Sequence, residues 1–320
     1  MKSPEKFILA LAVLVLAAAP PCARAAESSA AQFLKLGFGA RALGMGEAFT
    51  AVADDASAMH YNPAGLAPGA GPEGKSAVFS HAWHVQDMGV SQAALLSRPW
   101  GYSLTYFSAG DMEGRNDSGV PTGDFTARDL SFSAGRGFKL GVFSAGVAVK
   151  YVGQKIDDHS AHAAAADLGV LYQPENPRLK FGVSLVNFGT RIKFKDDSFP
   201  LPLTLKAGAA LALKGVPVLV AAQADFANDS GAALRLGGEY SATESLKLRL
   251  GYKTVSSTDR DAILGKELGG SGTGVSSLFG FFAGVGIYMR GFSLDYALSP
   301  YGELGNAHRV SMGMKFWENS

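Results

Sequence analysis

From about residue 76 to residue 317 the chain repeats one pattern fourteen times: apolar side chains alternate with small, polar or charged ones for a short stretch, then a turn follows. Period-two alternation belongs to a strand with one face in an apolar medium and the other in a polar one. Residues 245–254 carry it most clearly. Leu246, Leu248, Leu250 and Tyr252 share one face, and Lys247, Arg249, Gly251 and Lys253 share the other. A one-residue slip would push Lys247 and Arg249 to the apolar side, at roughly 2 to 4 kcal/mol each near a bilayer midplane. The register is therefore strongly specified.

The strands are expected at about 76–84, 88–97, 101–109, 127–135, 140–154, 163–173, 178–189, 201–214, 216–226, 232–241, 245–254, 278–290, 292–299 and 307–317. After even strands the connections are tight, at 98–100, 136–139, 174–177, 215, 242–244 and 291. After odd strands they are mostly long and polar, at 110–126, 155–162, 190–200, 255–277 and 300–306, with 85–87 as the short exception. Short turns opposite long loops are the habit of transmembrane barrels, with the turns on the periplasmic side. An even strand count is expected to put both termini on that side, where an N-terminal segment can fold back into the lumen.

One face of these strands is apolar throughout, as in Phe143, Val147, Val149 and Tyr151, or Phe292, Leu294, Tyr296 and Leu298. The opposite face carries Lys150, Asp167, Lys206, Gln223, Asp225, Arg235, Glu239, Lys247, Arg249, Asp295 and Lys315. Charges of both signs suit a plugged or narrow lumen with internal pairing better than an ion-selective pore, which would use rings of one sign. Trp83, Tyr102, Tyr151, Tyr172, Tyr252, Tyr288, Tyr296 and Trp317 fall near strand ends, as interfacial girdles do. The last strand is apolar and ends on Phe316 and Trp317, resembling the signal that barrel assembly machinery reads, although Glu318, Asn319 and Ser320 trail it.

Ahead of the barrel pattern come Lys2 and Lys6, an apolar run over 7–19, Pro20, Pro21 and Ala23-Arg24-Ala25. This reads as a secretory signal peptide over 1–25, cleaved after Ala25, with an apolar run too short to span a bilayer. Cys22 follows Ala19, Pro20 and Pro21, a poor match to a lipidation signal, so no lipid anchor is expected. It is the chain's one cysteine, so the exported form has no thiol, disulfide or Cys-based metal site. A formal net charge of +1 gives no basic surface for nucleic acid. No second long apolar run exists, which excludes a helical membrane protein but not a barrel. The 40 glycines fit tight turns, bends and inward positions facing a plug.

Residues 26–75 differ from the rest. Met45, Ala48, Phe49 and Val52 lie at i, i+3, i+4 and i+7, which predicts an amphipathic helix over about 40–53. A second short helix is expected to start at Asp54 or Asp55, where a carboxylate meets free amides, and to stop by Tyr61 ahead of Pro63. Asn62 and Pro63 then suit the cap and first position of one more turn, through Leu66.

The run from Gly37 to Leu66, GFGARALGMGEAFTAVADDASAMHYNPAGL, resembles the hatch segment of FadL-like outer-membrane proteins, most closely the PorV/PorQ branch. The matching pieces are residues 39–46, Ala48-Phe49, Ala53-Asp54-Asp55 and Asn62-Pro63-Ala64-Gly65-Leu66. The later strands fit by pattern alone. The resemblance implies an all-β transmembrane barrel of about fourteen strands, over 76–320, with the segment 26–75 plugging its lumen. FadL relatives carry long-chain fatty acids and other hydrophobic compounds across the outer membrane, and PorV relatives receive cargo from a type IX secretion system. Asn62, Pro63, Ala64 and Gly65 would then form the hatch, and Arg41, Asp54 and Asp55 would anchor the plug by ion pairs.

No catalytic residue, metal site or cofactor is expected. Gly37-x-Gly39-x-x-Ala42 spells a dinucleotide loop but lacks the surrounding βαβ unit. On a strand, His81 and His84 face opposite sides, and Ser80 beside His81 makes no triad. Asp157, Asp158, His159 and His162 read as a solvated loop. Expected partners are outer-membrane lipid, the assembly machinery during biogenesis, and either a hydrophobic small molecule in the lumen or a secreted protein on the external loops.

Overall fold

The computed structural model describes residues 28–83, 88–116, 118–174, 176–194, 197–254, 280–300 and 306–316. The expected signal peptide, the 85–87 turn, the 255–277 loop and Trp317 lie outside the described residues. Sixteen strands follow in chain order. They are β1 (Lys75–Trp83), β2 (Gly89–Ser97), β3 (Trp100–Arg115), β4 (Pro121–Leu140), β5 (Phe143–Ile156), β6 (His159–Tyr172), β7 (Leu179–Gly189), β8 (Ile192–Phe194), β9 (Asp197–Phe199), β10 (Thr204–Ala212), β11 (Val218–Ala227), β12 (Ala233–Ser241), β13 (Leu246–Lys253), β14 (Phe281–Met289), β15 (Phe292–Pro300) and β16 (Asn306–Phe316). Fourteen of them form a closed antiparallel barrel in which β7 pairs with β10 and β1 pairs with β16. The hairpin β8–β9 stands apart as its own small sheet.

The alternation sets the faces. Phe79, Leu104, Phe132, Val149, Leu250, Phe292 and Met312 are exposed on the outside, while Asp167, Arg235, Glu239, Arg249 and Asp295 are buried within. One girdle aromatic is corrected. Tyr288 points inward and bonds Arg249, because it shares parity with the inward residues Gly284 and Gly286.

Two expected loops shrink. β3 and β4 pair up to a turn at 116–120, and β5 and β6 up to a turn at 157–158, so these four strands rise above the rest of the rim. The expected turn at 136–139 lies inside β4, and Gly141, with φ 65°, turns the chain instead. Gly137 has another reason to lack a side chain: a Cβ there would collide with the plug backbone at Leu66 and Ala67. The 190–200 loop holds the β8–β9 hairpin, whose three-residue strands are too short for alternation to announce.

Residues 28–74 precede the barrel, and most of them fill its lumen. They contain α1 (Ala40–Gly44), α2 (Ala58–Tyr61) and 3-10 turns at Gln32–Lys35 and Pro63–Leu66. The helix expected over 40–53 is thus only its first five residues. Gly46 and Glu47 take left-handed φ values of 61° and end it, yet Met45, Ala48, Phe49 and Val52 are all buried. A segment enclosed on every side buries its apolar residues whatever its conformation, so the stripe did not certify a helix. Asp55 receives the Ser57 amide, but the helix itself starts only at Ala58. Asn62 caps the following turn as its position predicts, accepting from the Ala64 amide at 3.1 Å.

The plug circles the wall from the inside. α1 packs on β13 to β16, Met45–Gly46 cross β12 and β13, Thr50–Ala51 meet β7, and Asn62 to Ala67 pass β6, β5 and β4. Where its backbone touches the wall, the wall residue is often glycine: a Cβ at Gly251 would collide with Gly46, and one at Gly146 with Pro63. Overpacking such a contact costs typically 1–3 kcal/mol. Gly251→Ala should therefore lower the thermal unfolding midpoint in detergent. Gly238→Ala, on the outer face with its nearest atom 3.9 Å away, should leave it within measurement error.

Candidate functional site

The even strand count predicts an entry on the tight-turn side; instead the described chain enters the lumen at the long-loop end, where Ser29 and Gln32 meet Asp229, and leaves at the tight-turn end, where β1 begins. At the mouth, Ser29, Gln32 and Lys35 converge on the Asp229 carboxylate, with Gln32 at 2.8 Å and Lys35 at 3.0 Å. Burial alone would raise the Asp229 pKa, but these three donors hold it below the ordinary carboxylate value. The Ala31 amide donates to Gln154 Oε1 at 3.0 Å, and Gln154 donates in turn to Asp129. Phe33 and Leu34 are thereby pressed into an apolar cluster with Val152, Ala163, Ile192 and Leu201.

Beyond this cluster lies a groove of about 540 Å³ between the raised strands and the β8–β9 hairpin. Phe125, Ile156, Phe194 and Phe199 give it apolar walls, and Arg115, Asp157, His159 and Asp197 give it polar ones. His162 instead points outward, where its Nδ1 lies 2.7 Å from Tyr151 Oη, so the two histidines of β6 do not meet. His81 contacts Ser91, and His84 lies outside the described residues. Among the described residues no group of three metal-binding side chains occurs.

Below the mouth, Phe33, Leu34, Met59, His60 and Lys150 surround a void of only about 10 Å³ with the hydroxyls of β3 and β4. Lys150 pairs with Asp167 at 2.9 Å and donates to Asn187 Oδ1 at 2.7 Å. Lys206 faces plug residue Tyr61. Its Nζ lies 5.4 Å from the Tyr61 ring centre, and among the described residues it has no carboxylate within ion-pair distance. Burial first, and then Lys206 and Lys150, hold the pKa of His60, on the plug, well below its ordinary value.

At the base, Arg41 gathers three carboxylates: Asp54 at 2.6 Å, Asp55 at 2.9 Å and Glu239 at 2.9 Å. Glu239 also takes Arg249 at 2.8 Å and Lys247 at 3.5 Å, and Arg249 continues to Asp295 at 2.7 Å. A separate group joins Asp225 to Arg235 at 2.6 Å and Arg235 to Glu47 of the plug. Asn62 donates to Thr50 O at 2.9 Å and to Val170 O at 3.2 Å, while Pro63 and Ala64 lie against Gly146 and Gly65 against Ala53.

Gln223, which alternation placed on the inward face, accepts from the Phe49 and Thr50 amides. Arg98 carried no sequence signal and donates to the carbonyls of Asp54, Gly65 and Ala67. Asp229 sits in a loop without pattern. Glu47 was missed as well, although a lone acid in an apolar stretch is a signal that could have found it.

Removing one member of a buried charge group leaves the others uncompensated, typically at about 3–5 kcal/mol. Glu239→Gln should therefore speed amide exchange across residues 40–55 while the strand amides stay protected. The outward Tyr240→Leu should leave exchange in the plug unchanged.

A search of curated protein sequences finds no match. Among solved structures the barrel is similar to the Ralstonia pickettii toluene transporter TbuX, at TM-score 0.58 and 14% identity, covering 88% of this chain and 99% of that one. It is also similar to a mutant of the monoaromatic hydrocarbon channel TodX, at 0.55 and 14%, covering 88% and 99%. A Pseudomonas aeruginosa FadL homologue aligns at 0.54 and 12%, covering 87% and 98%. At these identities the likeness concerns the fold: a FadL/TodX-type closed barrel of fourteen strands with an N-terminal plug. Residues 17–210, more than half of the sequence, match an uncharacterised protein family, UPF0164, and the chain belongs to that family.

Proposed function

We propose that this barrel lies in an outer membrane, acts without enzymatic chemistry, and passes hydrophobic small molecules through its lumen. The observation that supports this reading is a groove at the mouth with apolar and polar walls, one of whose wall residues, Phe194, packs against the apolar cluster that holds plug residues Phe33 and Leu34. The polar ties of their segment run to few acceptors, chiefly Asp229 and Gln154. A ligand in the groove would need only that segment to move, whereas the base is held by many more bonds. The exposed apolar outer face supports the membrane setting. The similar structures include a toluene transporter and a monoaromatic hydrocarbon channel, which points the same way.

Lys206 favours an amphiphile with an acidic head over a plain hydrocarbon. Its ammonium, over the Tyr61 ring and with no carboxylate within ion-pair distance among the described residues, is a lumen cation that an acidic head could meet. Long-chain fatty acids have that chemistry. The PorV/PorQ likeness of the plug motifs supports the other reading, in which the raised strands hold an exported protein.

Uptake of a labelled long-chain carboxylate by cells that produce the barrel, against cells that lack it, tests the proposal. Wild type should take it up, and Lys206→Met should reduce carboxylate uptake about tenfold, as loss of one charge-assisted contact would. Toluene uptake should change little in that variant. No barrel-dependent uptake of either compound, with an exported protein recovered in stoichiometric amount, would overturn the proposal in favour of cargo holding.

A further inference from the structure

The two ends of the barrel differ in charge. At the tight-turn end, the exposed charged residues are nearly all basic. Lys75, Arg136 and Lys139 occupy one side, and Arg178, Lys214, Arg290 and Lys315 continue around the circumference. Among the described residues only Glu73 and Glu244 oppose them as exposed acids there. The long-loop end mixes both signs: Arg115 pairs with Glu113 at 2.8 Å, Lys155 adjoins Asp157 and Asp158 at the β5–β6 turn, and Lys193 and Asp197 share the β8–β9 hairpin.

These basic residues follow the rim instead of clustering over the lumen. Strand register places Lys75, Ser97, Trp100 and Arg136 in one row across β1 to β4. Trp100 and Phe138 are exposed on the outer face, and the Arg136 guanidinium lies over both rings, at 5.0 Å and 5.2 Å from their centres. A cation stacked on a girdle aromatic sits at headgroup depth, since the rings mark the boundary between hydrocarbon and water. A docking protein would cover one face of the barrel, whereas a lipid leaflet surrounds it.

We infer that this end carries a belt of sites for anionic phospholipid headgroups. The inference rests on the membrane setting proposed above. Each basic group near an anionic surface contributes enough to enrich acidic lipid several-fold beside it, and the effect weakens with salt. The mixed-sign end offers no comparable enrichment.

Trp100 provides a local probe. With Trp83→Phe and Trp317→Phe, it is the sole tryptophan, and its quenching by brominated phosphatidylglycerol can be compared with that by brominated phosphatidylcholine in vesicles of either mixture. The phosphatidylglycerol should be favoured about fivefold at low salt. Lys75→Gln with Lys139→Gln should lower that ratio while leaving the Arg136 stack on Trp100 intact, and adding Arg136→Gln should bring it close to one. Arg115→Gln with Lys155→Gln, at the opposite end, should leave it unchanged. A ratio near one in the unsubstituted belt would overturn the inference and assign the basic rim to a soluble acidic partner. Absence of quenching by either lipid would instead show that the barrel had not entered the bilayer, contradicting the membrane setting itself.

Discussion

Closure of the strand ring is the constraint on which the other features depend. A backbone facing hydrocarbon has no water to satisfy its amides and carbonyls, so each strand must be bonded on both sides and no edge can remain. The pairing of β1 with β16 meets that requirement. Once closed, fourteen strands enclose a space that their own side chains do not fill, and the inward residues are polar. Something must occupy that space, and residues 29–70 do.

Filling the lumen with backbone explains features that otherwise look unrelated. The wall lacks side chains where the plug leans on it, as at Gly146 and Gly251. Its buried charges find partners on the plug, as Glu239 does in Arg41 and Arg235 does in Glu47. The plug in turn needs little regular secondary structure, because wall side chains such as Gln223 and Arg98 take up its free amides and carbonyls. The bonding is uneven along its length. The segment around Phe33 is fixed by a few polar ties and an apolar cluster, whereas 40–67 is interlocked with the wall.

The barrel was legible because its physics is periodic: one inward side and one apolar outer side per strand impose an alternation that survives in a single sequence. The face of Arg249 followed from parity with Lys247, and that of Glu239 from parity with Arg235 on its own strand. What could not be read lay where periodicity stops carrying information. The 40–53 stripe suggested a helix because burial in a closed lumen falls on all sides of the chain and not on one. Gly137 suggested a turn because a glycine cleared for a plug and a glycine bent for a hairpin have the same letter. Tyr288 suggested a girdle because its nearness to a strand end was weighed above its parity. The Asp229 latch joins residues some two hundred positions apart through a loop, and no local pattern marks such a contact.

If the plug fills the barrel as described, the ring is sealed to ions at rest. Conductance of the purified protein across a planar lipid bilayer tests that directly. The intact chain should show no steady current, and the same barrel lacking residues 29–70 should open as a stable pore. A steady current through the intact chain, equal to that of the shortened one, would contradict the account.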